Sequence, residues 1–130
     1  MPYRILLMFF CMLYTIQGIA QNVAYVSIRK VVIDAGHGGK DPGAVSINRK
    51  TREKDITLTV ALKLGDLIKK NFPDIKVIYT RSTDVFIPLN QRTDIANKNR
   101  ADLFISVHVN SAKARSAAGT YNFVMGMVIF

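Results

Sequence analysis

Three short β-rich runs alternating with two helical segments leave this chain few ways to fold. Lys30 to Ala35 is apolar almost throughout, as a strand covered on both faces must be. Ile75 to Thr80 and Ala101 to Asn110 are the second and third runs. Between the first two, Glu53 to Phe72 switches to helical spacing: Ile56, Val60, Leu64 and Leu67 recur at roughly one turn, with Lys63, Lys69 and Lys70 elsewhere. Gly65 costs that helix about 1 kcal/mol relative to Ala, and Asn71-Phe72-Pro73-Asp74 stops it. Pro88 suits the first turn of a second helix running to about Arg100. Asn22 to Arg29 reads as a lead-in and Tyr121 to Phe130 as a fourth strand. The order βαβαβ predicts an α/β fold, a mostly parallel central sheet flanked by helices with right-handed crossovers.

Residues 1–21 stand apart from this pattern. Arg4, the apolar run from Ile5 to Ile19, and small residues at Gly18 and Ala20 have the layout of a secretory signal peptide cleaved after Ala20. The run of about 15 residues is short of the roughly 20 that span a bilayer, so no stable membrane span is expected after cleavage; the alternative is an uncleaved anchor. Cys11, the only cysteine, lies inside this segment. The mature chain, 22–130, then offers no disulfide and no thiolate, and any metal must be held by His, Glu or Asp. Its length suits one domain with a modest core. Losing Arg4 lowers the formal net charge from +9 to +8. A basic exported protein, periplasmic or extracellular, suits an anionic partner such as a cell-wall polymer or a membrane surface. The basic residues are scattered and lack the aromatic interleaving of single-strand binders, which argues against nucleic acid.

The chain has two histidines, His37 and His108, and one glutamate, Glu53. His37 follows the first strand in the turn Asp34-Ala35-Gly36-His37-Gly38-Gly39-Lys40-Asp41-Pro42-Gly43, His108 ends the third run, and Glu53 opens the first helix. In open α/β sheets, ligands bind beyond the carboxyl ends of the strands, and all three residues fall on that edge. Alternation along a strand puts Phe104, Ser106, His108 and Asn110 on one face. Two imidazoles and a carboxylate around an open position make a hydrolytic zinc site. Each residue also has a plain reading: a hydrogen-bonded histidine after a strand, or a carboxylate favoured by the helix dipole. The glycines faintly suggest a phosphate loop, but Lys40 is followed by Asp41 rather than Ser or Thr, and the spacing is wrong.

Five segments carry a family resemblance: Val31 to Ala44, Arg52-Glu53-Lys54-Asp55, Thr80-Arg81-Ser82-Thr83-Asp84, Leu89-Asn90-Gln91-Arg92 and Ser106-Val107-His108-Val109-Asn110. In this order they closely resemble the zinc-dependent N-acetylmuramoyl-L-alanine amidases of the bacterial cell wall, the amidase-3 type. The resemblance implies Zn2+ held by His37, Glu53 and His108. It also implies hydrolysis of the amide joining the lactyl group of N-acetylmuramic acid to L-alanine in peptidoglycan, during wall remodelling or daughter-cell separation. Asp34, Arg81, Arg92 and Asn110 would brace the site or contact substrate; Arg81 and Arg92 could pair with Asp84 or with carboxylates of the stem peptide.

The pattern breaks in one respect. Members of the family carry a second glutamate near the end of the catalytic domain as general base, and this sequence has none after Glu53. The expectation is an N-terminal part of an amidase domain, its general base lying beyond Phe130. Such a chain would be weakly active and aggregation-prone through Tyr121 to Phe130. The alternative is a catalytically inactive peptidoglycan-binding or regulatory module that keeps the metal site.

Overall fold

The computed structural model describes residues 27–109 and Gly119. The segment expected to be a signal peptide, most of the lead-in, Asn110 and the run from Tyr121 to Phe130 lie outside the described residues.

Among the described residues the order is β1 (Lys30–Ala35), α1 (Glu53–Asn71), β2 (Lys76–Tyr79), α2 (Leu89–Asn99) and β3 (Leu103–Val107). The three strands form one parallel sheet in the order β2-β1-β3, the predicted α/β arrangement. The most apolar strand takes the centre: Val31, Val32, Ile33 and Ala35 are all buried. Register sets Ile33 beside Tyr79, and Asp34 and Ala35 beside Ser106 and Val107. The carboxyl ends of β1 and β3 therefore finish level.

One face of the sheet packs under α1. Val31, Ile33, Ala35 and Ala61 make the buried cluster, and Leu58, Leu64, Ile68, Val77, Tyr79 and Ile105 close around it. This inward face differs from the stripe that spacing suggests. Leu64 does pack on the core, but Ile56, Val60 and Leu67 are 36%, 44% and 57% exposed, while Thr57, Ala61 and Gly65 are buried. Small residues let the helix lie close to the sheet. Gly65 is part of that fit, because a side chain there would run into the Tyr79 ring.

The helix boundaries differ from expectation by about a residue. Pro88 precedes α2 at its N-cap rather than sitting in its first turn, and its carbonyl accepts the amides of Gln91 and Arg92. The third strand ends at Val107, so His108 stands just beyond it.

Candidate metal centre

The loop that leaves β1 turns sharply. Gly36 N–H donates to the Val107 carbonyl, continuing the ladder one step. His37 then takes φ +61°, in the left-handed region that non-glycine residues rarely occupy. Such a conformation costs of order 1–3 kcal/mol and persists where surrounding contacts hold it.

Those contacts come from two buried arginines. Arg81 Nε donates to the Ala35 carbonyl, and its Nη2 to the carbonyls of Gly36 and Lys54. Arg92 Nη1 donates to Ala35 O and Nη2 to His37 O, 2.7 Å away. Three consecutive carbonyls, 35 to 37, are thereby fastened. Arg92 also pairs with Asp34 at 2.8 Å, both side chains buried. Burial pushes the Asp34 carboxyl up; hydrogen bonds from Thr80, Arg92 and Ser106 outweigh that and hold its pKa below the ordinary value. Asp34, Arg81 and Arg92 thus brace the loop, and the two guanidiniums are spent on protein groups. The partner of Asp84 is Lys54, neither arginine. Lys54 also donates to Gly39 O while Asp84 accepts the Gly39 amide, which ties the loop to the start of α1.

Glu53 enters from the other side. Its amide donates to Ala44 O, and its carboxylate accepts the amides of Ala44 (2.9 Å) and Val109 (2.9 Å). Burial raises the Glu53 pKa, but those two amides, His108 and His37 more than offset it and leave it lowered. Oε1 lies 3.1 Å from His37 Nε2 and 3.1 Å from His108 Nδ1. The two imidazoles meet edge to face, centroids 4.9 Å apart. On its far side, His37 Nδ1 is 2.8 Å from Asp41 Oδ2. With that proton directed to Asp41, Nε2 keeps its lone pair for the centre. The Asp41 pKa is lowered, chiefly by this contact.

Gly36 and Gly43 make room for the cluster. A Cβ on Gly36 would strike the His108 ring, and one on Gly43 would meet His37 and the Glu53 side chain. Gly43 also has φ +63°.

Sequence reasoning singled out His37, Glu53 and His108, and the fold brings them together: one ligand atom from each lies within 4.8 Å of the others. The donor set can hold a divalent cation. Donors about 2.0–2.2 Å from a tetrahedral ion stand roughly 3.3–3.6 Å apart, and the 3.1 Å contacts at Glu53 come close to that spacing. Asp41, Lys54 and Asp84 were not singled out as site residues. Asp41, four residues after a candidate ligand in the same turn, was the one findable from sequence.

The fold and site define a class: a parallel α/β protein with a metal-capable His–Glu–His cluster at the carboxyl edge of its sheet. Within that class, the chain belongs to the N-acetylmuramoyl-L-alanine amidase family, whose sequence pattern matches residues 31–127. It is 45% identical over 95 residues to N-acetylmuramoyl-L-alanine amidase AmiC of Escherichia coli, covering 73% of this chain and 22% of that protein. It is 42% identical over 82 residues to a sporulation-specific N-acetylmuramoyl-L-alanine amidase of Bacillus subtilis, covering 63% and 31%. Among solved structures it resembles the catalytic domain of CwlV, an N-acetylmuramoyl-L-alanine amidase from Bacillus (Paenibacillus) polymyxa var. colistinus. There the TM-score is 0.65 and identity 46%, over 69% of this chain and 50% of that one. An N-acetylmuramoyl-L-alanine amidase from Clostridium difficile 630 gives a TM-score of 0.64 and 38% identity, over 70% and 48%. The chain therefore spans about half the length of these solved structures and a smaller share of the curated relatives.

Proposed function

We propose that this protein is a zinc-dependent amidase of peptidoglycan, exported across the membrane and acting on the amide between N-acetylmuramic acid and L-alanine. The observation that carries the reading is the convergence of His37, Glu53 and His108 from three separate segments onto one point. Zn2+ is the cation that suits two imidazoles and a carboxylate in a site without thiolates. When bound, zinc supplies Lewis acidity, lowering the pKa of water and polarising a scissile carbonyl.

The chain's own residues prepare that chemistry. Asp41 fixes the tautomer and orientation of His37. The amides of Ala44 and Val109 keep the Glu53 carboxylate ionised and aimed between the imidazoles. The arginines hold His37 in its strained backbone conformation, so the site is organised by the fold rather than assembled by the ligand.

The direct test is zinc stoichiometry of the purified chain beside Glu53→Gln and His108→Ala. About one zinc per wild-type chain, lost in both variants, is expected. A folded wild-type chain that takes up no zinc would sink the proposal.

A further inference from the structure

The loop between β1 and α1 ends in a small hairpin, residues 45 to 52, whose tip is costly for a chain that needs only a turn there. An antiparallel bridge pairs Val45 with Arg52 and closes the stem. Ser46 N–H donates to Thr51 O, Arg49 N–H to Ser46 O, and Thr51 N–H to Ser46 Oγ. Asn48 Oδ1 accepts from Ser46 Oγ at 2.7 Å and from the Lys50 amide at 3.1 Å. The turn is thus held by its own polar groups, and neither Ile47 nor the cations are needed to close it. Ile47 nonetheless stands fully in water, 103% exposed. Arg49 takes φ +57°, a left-handed conformation that glycine or asparagine adopts at less cost.

The charge at this tip has one sign. Arg49, Lys50 and Arg52 are exposed, and no acidic residue lies between Asp41 and Glu53. Asp41 is taken by His37, and Glu53 by both histidines. Among the described residues, no carboxylate forms an ion pair with any of the three cations. An apolar side chain raised among unpaired cations suits an anionic bilayer, where the cations meet lipid phosphates and the apolar group enters the acyl boundary. A soluble polyanion would use the same cations but has no place for Ile47.

We infer that the 45–52 hairpin docks on an anionic membrane surface, with Ile47 entering the acyl boundary and Arg49, Lys50 and Arg52 contacting lipid phosphates. Each cation near such a surface raises partitioning about fivefold, so the three together give roughly a hundredfold. That makes the contact reversible rather than an anchor. The hairpin runs straight into Glu53, whose amide donates to Ala44 O, so docking holds the candidate metal centre near the lipid surface. The inference needs neither zinc nor hydrolysis and goes beyond the function proposed above.

The chain has no tryptophan, so Ile47→Trp makes the tip its own reporter, whatever other segments do. Its emission is followed as vesicles of phosphatidylcholine, alone or with about one phosphatidylglycerol in three, are added. A blue shift with the anionic vesicles, absent with the zwitterionic ones and reversed by salt, is expected. Adding Arg49→Gln and Lys50→Gln together should lower the affinity about 25-fold. Arg49→Gly in the same reporter chain should lower it about fivefold and yet melt no lower, since glycine takes that φ without strain; a merely structural turn would leave the affinity unchanged. An unshifted spectrum, equal shifts with both kinds of vesicle, or an affinity that survives the double substitution overturns the proposal. So does an equal shift with soluble polyphosphate, which would make the tip a polyanion site rather than a bilayer contact.

Discussion

At the scale of single residues, the Asp34–Arg92 pair is a buried ion pair with a large energetic consequence. Both side chains are buried, and the second Asp34 oxygen accepts from Ser106. Removing the carboxylate leaves the guanidinium charged and out of water, an effect typically worth 3–5 kcal/mol. Asp34→Ala should therefore lower the urea midpoint sharply, whereas a loss under about 1 kcal/mol would show the pair to be screened. The same carboxylate makes stability depend on pH. Because its folded pKa lies below the unfolded value of about 3.9, its contribution is complete above that value. It is lost as pH falls through the lower folded pKa. Asp34→Asn, compared with wild type by denaturation from about pH 5 to pH 2, should be destabilised near pH 5 and show a shallower acid decline.

At the scale of elements, the loop from Gly36 to Arg52 links strand and helix and carries one ligand while walling in another. Gly43 is a tight point of that loop, with positive φ and with His37 and Glu53 where a side chain would start. Gly43→Ala should cost roughly 1–3 kcal/mol through strain and overpacking. It should also weaken zinc binding about tenfold or more by displacing Glu53; competition with a chromogenic chelator would measure this, and unchanged affinity would show that the loop can relax. Much of this element was readable in advance. Near-continuous apolar character marked β1, and its end located His37; the helical period located Glu53. The inward face of α1 was not readable, because Thr57, Ala61 and Gly65 are chosen for closeness to the sheet rather than for hydrophobicity. The arginine contacts were hidden for a different reason. Their partners are backbone carbonyls at residues 35 to 37, and carbonyls leave no mark on a sequence.

At the scale of the whole molecule, the three candidate ligands lie far apart in sequence and meet only when β1 and β3 pair. Glu53 and His108 are 55 residues apart in the chain, so the unfolded state offers the cation no comparable site. A ligand that binds the native state alone stabilises it by RT ln(1 + [L]/Kd), about 2.7 kcal/mol at a hundredfold excess over Kd. Zinc should accordingly raise the melting temperature, and a chelator should reverse the rise. The direct ladder from β1 to β3, the Asp34–Ser106 bond and the capture of the Arg29 and Lys30 amides by Asp102 do not involve the cation. The metal-free chain should therefore still melt cooperatively, at a lower temperature, rather than resemble a domain that needs metal to fold. Glu53→Gln separates the two contributions: its melting should be insensitive to zinc while it retains the sheet signal in circular dichroism. A melting temperature that zinc raises equally in wild type and Glu53→Gln would locate the stabilising cation elsewhere on the molecule.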